Sequence, residues 1–319
     1  MILVATLLVP AVILAQAPPS YSPPKTPWGH PDLQGVYTNK DEANTPLERP
    51  DAFKGRDPKT FTAQDLAELA KARQAQAAEI AGGIGGAETG AGPTHWYEHL
   101  LGKGSRPWFI VDPADGKMPA MTPQALKREA AIALLNNARN GEGRADSWLD
   151  RSMYDRCITR GLPGSMMPVI YGNAYEIVQT PDSVAIRYEM IHETRVIPLD
   201  GRPHVGSAIK SYMGDARGHW EGSTLVVETT NFTNRTHMGY NDRYNSESYK
   251  LVERFTPLAA NRVQWEVTLS DPEVYTRPWT FAMALTRDDS QPVFEYACHE
   301  GNLGLEHILS AARAEEKGR

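Results

Sequence analysis

From Tyr171 to Glu300 the chain is a near-continuous series of short segments in which apolar and polar residues take turns. That period of two is the signature of strands with one buried face, and it constrains the fold more than any other feature. Ser183 to His192 is the cleanest case, with Val184, Ile186, Tyr188 and Met190 on one face. The other segments are Tyr175–Thr180, Arg195–Leu199, the Leu225/Val227/Thr229 stretch, Tyr249–Thr256, Val263–Leu269, Trp279–Leu285 and Val293–Cys298. Turns are expected at Pro181-Asp182-Ser183, at Asp200-Gly201 and over Gly218 to Gly222. About seven or eight antiparallel strands at such spacing suit a closed or nearly closed barrel, since closure removes exposed edges. A lipocalin-like barrel of this size can hold one small ligand. A β-sandwich is the alternative.

The part before this region reads differently. Residues 2–15 are an apolar run too short to span a bilayer, followed by Ala15-Gln16-Ala17 as an A-x-A cleavage pattern, so residues 1–17 are expected to be a signal peptide. Residues 18–145 are expected to form an extended and helical layer, with a short strand near Tyr37 and another over Trp108–Asp112. Thr62 with Asp65 resembles a capping box opening a helix over 62–80, and Thr122-Pro123 opens a second one. The narrow apolar stripe of Leu66, Leu69 and Ala70 places the first helix on the surface. The barrel domain is expected over 146–302, with a closing helix and tail over 303–319.

Net charge is −6, so no basic field invites nucleic acid or an anionic membrane. The chain has two cysteines, Cys157 and Cys298, bracketing the strand-rich region. In an oxidising compartment such a pair is expected to be bridged. The expected setting is periplasmic or secreted, with no membrane attachment after signal cleavage.

Charges on apolar faces are the informative residues, because a buried charge must be paired or reach a cavity. Glu253 lies between Leu251 and Phe255, Arg277 shares a face with Trp279 and Phe281, and Glu295 with Val293 and Ala297. These charges form either a salt bridge, such as Arg277 with Glu253 or Glu295, or the polar floor of a ligand cavity. A second group gathers at strand ends and includes Tyr188, Glu189, His192, Arg195 and His204, with His192 and His204 flanking one hairpin. His95-Trp-Tyr-Glu98-His99 has the spacing of an inverted zinc-protease motif but lacks a convincing third ligand, and no metal or cofactor is expected. There is no nucleophile elbow, phosphate loop or dinucleotide fingerprint.

Several runs occur together in one order: Arg156-Cys-Ile-Thr-Arg-Gly-Leu-Pro163, Asp200-Gly-Arg-Pro-His204, Arg217-Gly-His-Trp-Glu-Gly222 and Asp271-Pro-Glu-Val-Tyr-Thr-Arg-Pro-Trp279. Over residues 105–305 the chain resembles a large uncharacterised family of exported, β-rich proteins from environmental bacteria. The resemblance implies export and one β-rich unit, and it brings no catalytic role. Where that family often has His-Ser-Glu, this chain has Asn245-Ser246-Glu247.

The expected function is binding of a small organic molecule and action on it by metal-free acid–base chemistry, as a lyase, isomerase or hydrolase. Glu253 and His192 would carry protons, Arg277 would hold an anionic or carbonyl group, and Tyr188 would orient the ligand. His204, Glu295, Trp279 and Arg195 would line the substrate site. A non-catalytic carrier and a structural or envelope-interaction protein are the alternatives.

Overall fold

A computed structural model describes residues 21–84, 104–137, 145–169, 171–236 and 244–318. The expected signal peptide and the His95–His99 motif lie outside these residues. Ten strands run in chain order: β1 (Gly35–Thr38), β2 (Ile110–Asp112), β3 (Ala174–Gln179), β4 (Ser183–Tyr188), β5 (Thr194–Pro198), β6 (Asp215–Glu221), β7 (Thr224–Thr230), β8 (Lys250–Ala259), β9 (Arg262–Ser270) and β10 (Trp279–Arg287). They form one antiparallel sheet in the order β5-β4-β3-β1-β10-β9-β8-β7-β6, and β2 also pairs with β10.

The sheet curls until its two ends nearly meet, giving a nearly closed barrel. Nine strands in an alternating path leave β5 and β6 running in the same direction, and they meet through side chains. Gly218 of β6 makes this approach possible. A Cβ there would sit 2.7 Å from Leu199 Cδ2 and 2.8 Å from Ile197 Cγ2. The expectation of a turn over Gly218–Gly222 is corrected here: Gly218 lies within β6, and only Gly222, at φ +61°, provides the turn. In Gly218 the lack of a side chain serves close packing, which a turn reading of the same residue misses.

The N-terminal segment is part of the barrel wall, since β1 lies between β3 and β10. It also covers the outside of β10, where Ala282 donates its N–H to Phe109 O and Ala284 is buried. Both faces of β10 are therefore buried, which accounts for its nearly unbroken apolar sequence. By contrast, Val293–Cys298 forms no strand.

Helix α1 (Ala63–Ile84) opens with the expected capping box: Asp65 Oδ2 accepts from Thr62 N at 2.7 Å, and Thr62 Oγ1 accepts from Asp65 N at 3.3 Å. Leu69 anchors it to Phe53 and Trp108, while Leu66 is exposed. Helix α2 (Pro123–Asn137) begins at Thr122, whose hydroxyl accepts from Ala125 N. Helix α3 (Leu303–Lys317) starts at Asn302, which donates to Asp155 O and so docks the C-terminal segment beside Cys157. Among the described residues no helix is long and apolar enough to cross a membrane.

Inside the barrel, Leu251 and Phe255 on β8 and Val263, Trp265, Val267 and Leu269 on β9 are at most 2% exposed. The centre is thus packed with side chains. Both ends are stoppered. At one end the amide of Gln179 grips the N-terminal segment, accepting from Leu33 N at 2.6 Å and donating to Pro31 O at 3.1 Å. At the other end residues 161–167 are buried, held where Tyr249 Oη donates to Leu162 O and Tyr175 Oη donates to Met166 O.

Candidate functional site

The strongest polar feature of the interior is an ion pair. Arg195 on β5 alternates inward with Ile197, and Glu253 on β8 with Leu251 and Phe255. Their side chains meet across the barrel as a two-point pair, Nη1 to Oε2 at 2.6 Å and Nη2 to Oε1 at 3.1 Å. Trp265 adds an indole N–H to Glu253 Oε1 at 3.1 Å. Glu253 has no exposed surface and its side-chain partner is 3% exposed. Burial alone would lower the affinity of Arg195 for its proton, but Glu253 and Tyr188 more than offset this and leave its pKa above the ordinary value.

Tyr188, the last residue of β4, is buried beside this pair. Burial raises its pKa well above the usual phenol range, Arg195 opposes the rise, and Glu253 and Glu193 add to it. Its hydroxyl is neutral, and it has no hydrogen-bond partner among the described residues. The Nε of Arg195 is likewise buried without a partner. Glu193 sits close by, with Oε2 accepting from Thr159 Oγ1 at 2.7 Å. Burial raises its pKa, against the opposing pull of that hydrogen bond and of Arg195.

Four of the expected site residues are thereby gathered inside: Glu253, Arg195, Tyr188 and, farther along β10, Trp279, which is 4% exposed. The others lie elsewhere. Arg277 precedes β10 and is about half exposed, with Nη2 on both carboxylate oxygens of Asp112 at 2.9 Å. The alternation that seemed to turn it inward ends at Trp279, where the strand begins. Glu295 is exposed because Val293–Cys298 is not a strand. Glu253 therefore pairs with Arg195, and neither Arg277 nor Glu295 takes part. His192 is exposed, with Nδ1 at 3.0 Å from Tyr296 O.

His204 does not face His192. It lies on the loop after β5, between Asp215 and Glu228, with Nδ1 2.9 Å from Asp215 Oδ2 and Nε2 3.3 Å from Glu228 Oε1. Carboxylates only accept, so both contacts together need both ring nitrogens protonated. Arg217 on Asp215 and Lys250 on Glu228 complete this charge-paired surface cluster.

Cys157 and Cys298 form a disulfide. It fixes residues 296–302 against the stopper, near Tyr154, Arg160 and Tyr171. None of these three, nor Tyr296, is marked by strand alternation. In the sequence Arg160 is marked only by its place in the Arg156–Pro163 run, three residues after Cys157.

A chemical consequence follows from the packing. Both oxygens of Glu253 are engaged, one of them twice, so the carboxylate is held in place as a hydrogen-bond acceptor for Arg195 and Trp265. Beside the ion pair the unused polar capacity is the hydroxyl of Tyr188 and the Nε of Arg195; elsewhere in the interior Thr229 Oγ1 and Trp279 Nε1 are also buried without a partner.

Comparison with family models and with curated proteins gives no match. Among solved structures, a secretary abundant heat soluble (SAHS) protein from Ramazzottius varieornatus is similar over 44% of this chain and 89% of that one, at 12% identity and a TM-score of 0.25. A likeness that slight carries neither fold nor function here. The class is defined by the chain's own geometry: a nearly closed, disulfide-tied antiparallel barrel with a charged pair at its centre.

Proposed function

We propose that the protein is an exported small-molecule-binding barrel, non-catalytic, that takes a ligand bearing a hydrogen-bond acceptor such as a carbonyl. The observation carrying this reading is the pair of unpartnered donors beside the Arg195–Glu253 pair. Leaving a buried donor unmatched costs about 1–3 kcal/mol. Together the two donors would line a chamber that opens only as the packed side chains part, where an acceptor group gains both bonds at once and Trp265, Phe281 and Tyr188 meet its apolar body. The ligand reaches them by parting the stopper of residues 161–167. The Cys157–Cys298 bridge supports an oxidising compartment.

Binding is favoured over acid–base catalysis because Glu253 is fully engaged and His192 is held at the surface. The test is a thermal-shift screen with neutral carbonyl compounds against the wild type and Arg195→Met/Glu253→Leu. A ligand at 100 times its Kd stabilises by about 2.7 kcal/mol, a rise of several degrees. The rise is expected in the wild type and should be absent in the double variant. Equal shifts in both would place the ligand elsewhere.

A further inference from the structure

Among the described residues Arg160 is a cation without a counter-ion. Its Nη1 is buried with no hydrogen-bond partner. No carboxylate among the described residues offsets its loss of water. Burial lowers its pKa, and only the phenols of Tyr154, Tyr175 and Tyr171 oppose that. Its guanidinium lies over the ring of Tyr154, 5.4 Å from the centroid. Arg195 and Glu253, the buried charges at the barrel centre, have each other, whereas Arg160 is partly exposed with its Nη1 buried and unpaired, so it stands out.

Around it stands a cluster of side chains that reach solvent. Tyr154 is 38% exposed, and Arg160, Tyr171 and Tyr296 are partly exposed. Tyr171 and Tyr296 stack with ring centroids 6.1 Å apart. The hydroxyl of Tyr171 interacts with those of both Tyr154 and Tyr296. Burial and that contact push Tyr296 up to about 12, and burial raises Tyr154 as well, so these two phenols are neutral donors at neutral pH. Met190 provides an apolar side against Tyr154 Oη. The cluster joins three separate stretches of chain, two of which the Cys157–Cys298 bridge ties together.

We propose that Arg160, with the hydroxyls of Tyr154, Tyr171 and Tyr296, forms a binding site for a small monoanionic carboxylate. A guanidinium offers two parallel N–H donors to a carboxylate, and neutral phenols can donate to the oxygens that remain. A single cation matches one negative charge, which disfavours a phosphate dianion. The site lies at the surface of the stoppered end and is distinct from the Arg195–Glu253 chamber.

The test is calorimetric titration of the full chain with benzoate, benzamide and inorganic phosphate, the benzamide comparison being made in Arg195→Met/Glu253→Leu, where the chamber that would take a neutral carbonyl is removed. Benzoate is expected to bind one to one, with benzamide and phosphate at least about tenfold weaker, since benzamide forfeits the charge-assisted pair and the phosphate dianion exceeds the single cation. Arg160→Gln should weaken benzoate by at least about tenfold. Tyr171→Phe should weaken it by a few-fold, and it supplies the test if Arg160→Gln does not fold. Arg195→Met/Glu253→Leu should leave benzoate affinity unchanged, which separates this site from the chamber. No benzoate heat, equal affinity for benzamide, tighter binding of phosphate, or an unaltered affinity in Arg160→Gln or Tyr171→Phe would overturn the proposal. So would loss of benzoate binding in the chamber variant.

Discussion

Arg195 and Glu253 bind each other through two contacts, at 2.6 and 3.1 Å, inside a barrel whose remaining inward residues are almost all apolar. Removing one partner leaves the other charged and dry. Glu253→Leu or Arg195→Met alone is expected to cost about 3–5 kcal/mol, whereas the double variant should recover most of that loss. Urea denaturation of all four proteins gives the coupling. Additive losses would show that the two side chains do not depend on each other.

The disulfide closes a loop of 141 residues. In the chain-entropy model a loop of that length contributes roughly 4–5 kcal/mol, so Cys157→Ser with Cys298→Ser should lower stability by up to that amount. Unreduced wild type should release no thiol on denaturation. Two titratable thiols would remove the bridge.

Glu193 sets a pH dependence whose sign follows from burial. Its folded pKa lies above the reference value of 4.5. The protonated form therefore favours folding below that value, and this contribution is lost as pH rises through the folded pKa. Glu193→Gln keeps an acceptor for Thr159 and removes the charge. It should raise Tm at neutral pH by one or two degrees, roughly, and leave Tm unchanged below the ordinary carboxylate range. An offset that is the same at every pH would contradict this origin.

Arg277 gives the opposite expectation from its partner in the sequence reading. It is about half exposed and pairs with an equally exposed Asp112. Arg277→Ala should change stability by no more than about 0.5–1 kcal/mol. A loss comparable to that of Glu253→Leu would mean that it reaches the interior.

These contrasts mark how far alternation carries. The hairpin of β3 and β4, with Val184, Ile186 and Tyr188 inward, follows directly from the pattern of two, as do β8 and β9. Glu253 stood out for the right reason, since a charge flanked by Leu251 and Phe255 had to be paired. Its partner was not readable, because the curl that brings β5 to face β8 is a property of the whole sheet. Arg195 nonetheless shares a face with Ile197 in the sequence, and that was the available signal. The pattern failed where a strand ended or was absent, at Arg277 and Glu295, and where a glycine served close packing, at Gly218. Arg160 and its tyrosines sit on loops joined by the disulfide, where no period exists to read.

The most direct measurement of the central claim is a thermal-shift comparison of wild type and Arg195→Met/Glu253→Leu over one library of small carbonyl compounds. The account predicts at least one compound that raises the wild-type Tm by several degrees and leaves the double variant unmoved. A library that moves neither protein, or both equally, would contradict a binding chamber built on Arg195 and Tyr188.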